Sequence, residues 1–460
     1  MNKHKLRQRS KYKGNSQSAN RRSGQASNHS SRHKKRGKSN SEGSHFSSYK
    51  SKLGSARYKK LKTRDDRPEN SRQTYRSSNK HKTHKRTTSR PSPRKTIDIQ
   101  AFIRKASAAQ PKKQQAIKHT FTDFDFCDHL QNNLKRRDYI TPTPIQDQAI
   151  HPIMASQDVI GLANTGTGKT AAFLLPLINK IASDPTQKAL IIAPTRELAI
   201  QIDTEFRKFS DGMKIFSSVC IGGVPMFHQL RSLKRNPNVV IGTPGRLADL
   251  AKRQQLHFKT FNNVVLDEVD RMLDMGFIHT IKSILENAAP RRQLLFFSAT
   301  LPENIKKLVH KFLVNPVTIQ VQTGETAQNV NHDVVHVKDA LMKFDKLAEI
   351  LKGPELAKVL IFSETKREVE KLATKLYQTG FKVDSIHGDK RQRQRQRSLT
   401  MFRDNKVNIL VATDVAARGL DIKDVTHVIN YTIPQSFDDY IHRIGRTGRG
   451  NNKGTALTFV

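Results

Sequence analysis

The sequence predicts an α/β protein made of two tandem, doubly wound parallel-sheet domains, preceded by a basic tail that does not pack. Three observations predict it. Short, unbroken, β-branched runs recur at residues 158–163, 188–193, 239–242, 264–266 and 294–297, separated by polar segments of helical length. Buried parallel strands in βαβ units have this pattern because helices cover both faces of the sheet. A second set, at residues 359–362, 383–386, 409–411, 427–430 and 456–460, follows a polar stretch near 322–332. Large aliphatic residues are nearly absent from residues 1–95. The expected layout is a tail over 1–95, a linker over 96–120, a first domain over 121–325 and a second over 326–460. The chain stops at Val460, inside what reads as the last strand of the second sheet. Ligands of such sheets sit at the carboxyl ends of the strands, so chemistry is expected in the loops there.

Within the tail, 30 Lys and Arg stand against 4 Asp and Glu, a net +26 of the chain's formal +42. Ser, Asn and Gln fill most of the gaps. This composition buries too little apolar surface to offset the entropy of ordering, which predicts disorder. Tyr12, Phe46, Tyr49, Tyr58 and Tyr75 interleave with the cations. Cations neutralise phosphates and aromatics stack on bases, so nucleic acid fits this charge better than an anionic membrane surface. The tail is also open to protein partners. Hydrophobic residues make up 35% of the 460, low for a chain packed throughout. In the linker, an amphipathic pattern over 97–106 predicts one short helix.

Cys127 and Cys220 are the only cysteines, and neither has metal-ligand spacing, so no disulfide framework or zinc site is expected. No apolar run approaches the ~20 residues that span a bilayer. Met1-Asn2-Lys3-His4-Lys5 opens no signal-peptide core. A soluble monomer of a reducing compartment is expected: the cytoplasm, or the nucleus or nucleolus in a eukaryote.

The loop Thr165-Gly166-Thr167-Gly168-Lys169-Thr170 follows the first strand and opens an apolar helix. This is the context of a phosphate loop. Its glycines let backbone N–H groups wrap a phosphate, and the helix N-terminus adds positive potential. Lys169 suits the β/γ-phosphates and Thr170 suits Mg²⁺. Asp267-Glu268-Val269-Asp270 ends the strand at 264–266. Acids buried at a strand end need a cation. Asp267 fits a Mg²⁺ ligand acting through the water shell, and Glu268 fits the base that orients and deprotonates an attacking water. In the second half, His442, Arg443, Arg446 and Arg449 crowd one glycine-containing turn and would repel one another without an anion.

Taken in order, Ala163–Thr170, Pro194-Thr195-Arg196-Glu197-Leu198, Thr243-Pro244-Gly245-Arg246, Asp267-Glu268-Val269-Asp270 and Ser298-Ala299-Thr300 resemble the motif series of the DEAD-box RNA helicases. Phe121 and Tyr139-Ile140-Thr141-Pro142-Thr143-Pro144-Ile145-Gln146 resemble that family's Q motif. The resemblance implies two RecA-like domains and an RNA-dependent ATPase. It implies that Tyr139 stacks on adenine and that Gln146 reads its edge, a contact suited to a bidentate amide. Arg446 and Arg449 become arginine fingers, worth about 10³–10⁵ in rate. His442 couples the turn to Ser298 and Thr300. Asp421 binds the ribose, and Thr413, Gln392 and Arg395 hold RNA backbone. The sequence departs from the family at Val269, where Ala is usual, and at Asp138, where the Q motif has Gly.

Thr195, Arg196, Gly223, Thr243, Gly245 and Arg246 are expected on loops facing RNA. Hydroxyls, glycine amides and arginines suit phosphates and sugars rather than base edges, so recognition should be largely sequence-independent. With Lys169 and Glu268 on one domain and the fingers on the other, hydrolysis requires closure, and closure is linked to RNA. Local unwinding of short duplexes, or remodelling of RNA–protein complexes, is the expected outcome. The alternatives are an inert RNA clamp, which the intact catalytic set opposes, and a DNA helicase, which the Q motif opposes.

Overall fold

The computed structural model describes residues 98–107, 116–164, 166–321, 329–339, 342–417, 422, 424–448 and 452–460, with side chains omitted at 105–107. The expected tail over 1–95 lies outside the described residues.

Thirteen strands are present among the described residues. The first sheet contains β1 (Val159–Leu162), β2 (Ala189–Ile192), β3 (Ser217–Cys220), β4 (Val239–Gly242), β5 (Asn263–Asp267), β6 (Gln293–Ser298) and β7 (Val317–Gln320). Their order is β3-β4-β2-β5-β6-β1-β7, and every neighbouring pair is parallel. The second sheet contains β8 (Val330–Val335), β9 (Val359–Phe362), β10 (Val383–Ile386), β11 (Ile409–Ala412), β12 (His427–Asn430) and β13 (Gly454–Phe459). Its order is β10-β11-β9-β12-β13-β8, again all parallel. β1 lies one strand in from an edge of the first sheet and β8 forms an edge of the second; from there the chain crosses each sheet to its far side and returns strand by strand.

Period-two side-chain alternation builds a core on each face. In β2, Ala189 and Ile191 point into one apolar cluster while Leu190 and Ile192 point into the other. In β9, Val359 and Ile361 divide from Leu360 and Phe362 in the same way. Both faces are covered, which is why the central strands read as continuous hydrophobic runs.

Three strands, β3, β7 and β8, were not expected from the sequence. All three are sheet edges. Edge positions bury fewer side chains, so β3 (SSVC), β7 (VTIQ) and β8 (VNHDVV) carry polar residues that hide the strand pattern. β8 begins inside the stretch near 322–332 that the sequence presents as polar.

The parallel register aligns the motif-bearing ends. Leu162 lies opposite Ser298, Ile192 opposite both Gly242 and Leu266, and Ile386 opposite Ala412. The segments that follow therefore emerge on one carboxyl edge of each sheet. Gly161 in β1 is required by close packing, because a Cβ there would lie 2.5 Å from the Phe297 ring.

The linker helix forms over Ile99–Ser107, two residues later at its start than the pattern at 97–106 suggests, with Asp98 Oδ1 accepting from the Gln100 and Ala101 amides. Its packing partner is in the second domain: Ile99 and Phe102 join Val330, Tyr440 and Ile444 in one apolar cluster. Among the described residues, no helix is long and apolar enough to cross a membrane.

Candidate nucleotide site and nucleic-acid interface

The phosphate loop leaves β1 and enters helix Lys169–Ser183. Gly166 and Gly168 adopt φ of +87° and +93°, the left-handed region open to glycine. Lys169 is buried, and its ammonium donates to the Ala163 carbonyl at 2.7 Å, closing the loop on itself. Thr167 Oγ1 donates to Asn164 O at 2.8 Å, and Ala163 N donates to Ser298 O at 3.0 Å. Thr165 lies outside the described residues.

Gln146 sits behind this loop. Its Oε1 accepts from Thr143 N at 2.9 Å, and its Nε2 donates to Gly168 O at 3.0 Å. A Cβ on Gly168 would come within 2.4 Å of that Nε2, so the glycine also serves the amide. These two bonds leave Gln146 one further N–H and one further lone pair. Tyr139 packs edge-on against Phe209 at 5.4 Å and lies 5.7 Å from Phe121. Phe121 is buried and packs against the Tyr139 ring.

Asp138 precedes Tyr139 with φ of +55°. Asp138 N donates to Lys135 O and Tyr139 N to Leu134 O. These two bonds form a Schellman stop for helix Asp128–Lys135, with Asp at the left-handed position where glycine is preferred.

Asp267 is fully enclosed at the end of β5. Burial pushes its carboxyl up to about 7, with Lys169 pulling down and Glu268 pushing further up. Glu268 carries φ +53° and ψ +56°, a conformation costing about 1–2 kcal/mol for a side-chain-bearing residue. Its carboxylate faces the buried guanidinium of Arg271 at 3.3 Å.

Asp270, the last residue of its motif, ties that motif to Ser298-Ala299-Thr300. Its Oδ2 accepts from the amides of Ala299 and Thr300, both at 2.9 Å, and from Thr300 Oγ1 at 3.2 Å, while its own N–H donates to Ser298 Oγ at 3.2 Å. Burial works against its charge, but Lys169, the Thr300 and Arg271 amides and His442 together hold its carboxyl below the usual range. His442 belongs to helix Phe437–Ile444 of the second domain, so this electrostatic reach crosses between the domains.

Arg443 corrects the expectation of four mutually repelling cations. It forms a bidentate pair with Asp414 at 2.7 and 2.8 Å and donates to Asn430 and to the Thr432 carbonyl. It braces the turn and needs no external anion. Arg446 is buried, with its Nε donating to the His442 carbonyl at 3.2 Å. Arg449 and Asp421 lie outside the described residues.

A cleft of about 430 Å³ lined by both domains takes in six of the residues expected to face RNA, Thr195, Arg196, Thr243, Gly245 and Arg246 from the first domain and Arg395 from the second, while Gly223, Gln392 and Thr413 are not part of its lining. Arg196 lies across Gly222 and Gly223; a Cβ on Gly223 would fall 2.2 Å from its guanidinium, and the φ there is +73°. Thr195 caps helix Arg196–Phe209 by accepting from Leu198 N. Thr413 N donates to Ile386 O at the start of helix Asp414–Ala417. Gln392 and Arg395 are engaged by Glu197, a motif residue to which the sequence assigns no role: it accepts from Gln392 Nε2 at 2.9 Å and from Arg395 at 2.8 Å. A second crossing is made by Arg271, which donates to the Val415 carbonyl at 2.7 Å.

Two family models match the chain, DEAD/DEAH box helicase over residues 143–308 and Helicase conserved C-terminal domain over residues 342–451. The DEAD-box ATP-dependent RNA helicase CshA of Bacillus licheniformis is 45% identical over 345 residues, covering 74% of this chain and 70% of that protein. The chain belongs to the DEAD-box family of ATP-dependent RNA helicases. DEAD-box ATP-dependent RNA helicase 20 of Arabidopsis thaliana is 42% identical over 348 residues, with 74% and 70% covered. Among solved structures, S. cerevisiae Dbp5 bound to RNA and ADP BeF3 aligns with a TM-score of 0.67 at 30% identity, covering 75% of this chain and 90% of that one. Mss116p bound to ssRNA and AMP-PNP aligns with a TM-score of 0.69 at 30% identity, covering 76% of each chain. Within this DEAD-box chain, Val269 is fully buried in the core, so its departure from Ala adds apolar packing next to the acids.

Proposed function

We propose that this helicase hydrolyses ATP in a site assembled from both domains and uses closure on RNA to separate short duplexes or strip RNA–protein complexes locally. The observation that carries the reading is the crossing at Arg271, which ties the carboxylate of Glu268 to the Val415 carbonyl of the second domain. The proposed base is thereby linked to whether the second domain is docked.

In this reading, the loop amides and Lys169 hold the β/γ-phosphates once Lys169 exchanges the Ala163 carbonyl for phosphate oxygen. Tyr139, packed by Phe121, offers an aromatic face to adenine, Gln146 reads its edge, and Asp421 takes the ribose. Glu268 orients water and accepts its proton. Arg446 and Arg449 stabilise charge on the transferring phosphoryl group. His442, facing Asp270 and through it Ser298 and Thr300, reports closure to the phosphate loop. The donor set fits Mg²⁺: Asp267 is a buried carboxyl in need of a cation, and Thr170 supplies a hydroxyl beside the loop. Mg²⁺ held there, largely through water, would neutralise phosphate charge. Thr195, Arg196, Gly223, Thr243, Gly245, Arg246, Gln392, Arg395 and Thr413 hold RNA backbone. The protein acts as a monomer, with its tail adding nonspecific RNA affinity and a site for protein partners. A reducing, cytoplasmic location is supported by Cys127 and Cys220, both free thiols.

The test is Glu268→Gln. RNA-stimulated turnover is expected to fall by about 10²–10⁴ while ATP and RNA still bind together. Near-normal phosphate release from that variant would refute the assignment of the base.

A further inference from the structure

We propose that helix Ile99–Ser107, which precedes the first domain in sequence, is a positioning element for the arginine-finger helix of the second. Its apolar face seats on helix Phe437–Ile444. Phe102 stacks edge-on against Phe437 at 5.7 Å and tilts against Tyr440 at 6.1 Å, and Ile99 is 5% exposed in the same cluster. The opposite face, with Gln100, Ala101 and Arg104, is exposed.

The helix being supported is short, at eight residues, and carries the chemistry at its carboxyl end. His442 and Arg443 lie in its last turn and Arg446 follows two residues beyond Ile444. An eight-residue helix has little intrinsic stability and takes its position from packing. On its inner side the packing comes from the domain itself, with Tyr440 fully buried and its hydroxyl 2.7 Å from His332 Nδ1, and Arg443 clamped by Asp414. On its outer side, Phe437 meets the Phe102 ring, and Ile441, Ile99 and Ile103 belong to the same apolar cluster. Residues 108–115, only eight in number, then lead to the first domain. Whatever loosens this cover shifts the axis along which Arg446 is presented, and a displacement of about 1 Å is enough to cost a large factor in rate.

This inference rests on the reading of Arg446 as a finger. Steady-state ATP hydrolysis at saturating RNA should be measured for the full chain, Phe102→Asp, Phe102→Leu, Arg104→Glu and Arg446→Ala. Phe102→Asp is expected to lower kcat about tenfold, a fraction of the ~10³–10⁵ that a finger supplies, with the KM for ATP changed less than about twofold. Phe102→Leu restores most of the rate and Arg104→Glu, on the solvent face, changes nothing. Unchanged kcat in Phe102→Asp, with Arg446→Ala still inactive, overturns the proposal alone. Parallel loss of kcat, KM and melting temperature that Phe102→Leu fails to repair also overturns it, since the helix would then be only a stabiliser. Full activity of Arg446→Ala removes the finger reading on which it stands.

Discussion

Arg271 joins Glu268 to the second domain: one guanidinium nitrogen lies 3.3 Å from Glu268 Oε2, and another donates at 2.7 Å to the Val415 carbonyl. The guanidinium is buried, so neither contact is screened by solvent. Replacing Arg271 by Ala removes both. The RNA-stimulated kcat is expected to fall about tenfold, with Arg271→Lys intermediate because an ammonium cannot reproduce the two-armed fork. Stopped-flow phosphate release checks this; equal rates for the three proteins would show that the crossing is incidental to catalysis.

Glu197 and Arg395 form the other crossing, at 2.8 Å and almost wholly buried. The pair exists only while the domains are together, so its loss penalises the closed state. Glu197→Ala is therefore expected to weaken RNA affinity about tenfold when a non-hydrolysable ATP analogue is present, corresponding to roughly 1.4 kcal/mol of lost coupling. Affinity without nucleotide should change little. Fluorescence anisotropy titrations under the two conditions separate these outcomes.

Gly223 permits the guanidinium of Arg196 to lie across it. Gly223→Ala places a methyl group into Arg196 and forces a positive φ on alanine, displacing a predicted phosphate contact. The RNA concentration giving half-maximal stimulation should rise about tenfold, in line with one lost charge-assisted contact. The KM for ATP at saturating RNA should stay unchanged, because the phosphate loop is untouched.

Asp138 occupies the left-handed stop of helix Asp128–Lys135. Asp138→Gly relieves that strain and is expected to stabilise the first domain by about 0.5 kcal/mol, with little effect on turnover. Thermal unfolding followed by circular dichroism would record the shift. A lower melting temperature would mean that the Asp side chain contributes more than its backbone costs.

Much of this architecture is legible in the sequence because central parallel strands announce themselves. Ile191, Val265 and Ile361 sit in unbroken apolar runs since both sheet faces are buried. The edges are not legible: β7 and β8 alternate with polar residues that also occur in loops. The phosphate loop and the acids of β5 are readable from spacing alone, because their chemistry is local. The contacts of Asp270, Arg271 and Glu197 are not legible, for the opposite reason. Their partners, Thr300, Val415 and Arg395, are 30, 144 and 198 residues away, and only the fold brings them together. Arg443 shows the same limit in reverse, since a cation that looked available for phosphate is spent on Asp414.

The central claim is that the two domains complete one site by closing, and the distance between them tests it most directly. Tyr377 in the second domain and Phe216 in the first are exposed and belong to none of the motifs, so each can be replaced by Cys for dye labelling after Cys127 and Cys220 are changed to Ser. Energy transfer between the dyes should rise to a single high-efficiency population only when an ATP analogue and single-stranded RNA are both present. An efficiency distribution that is the same with neither, either or both ligands would contradict the account.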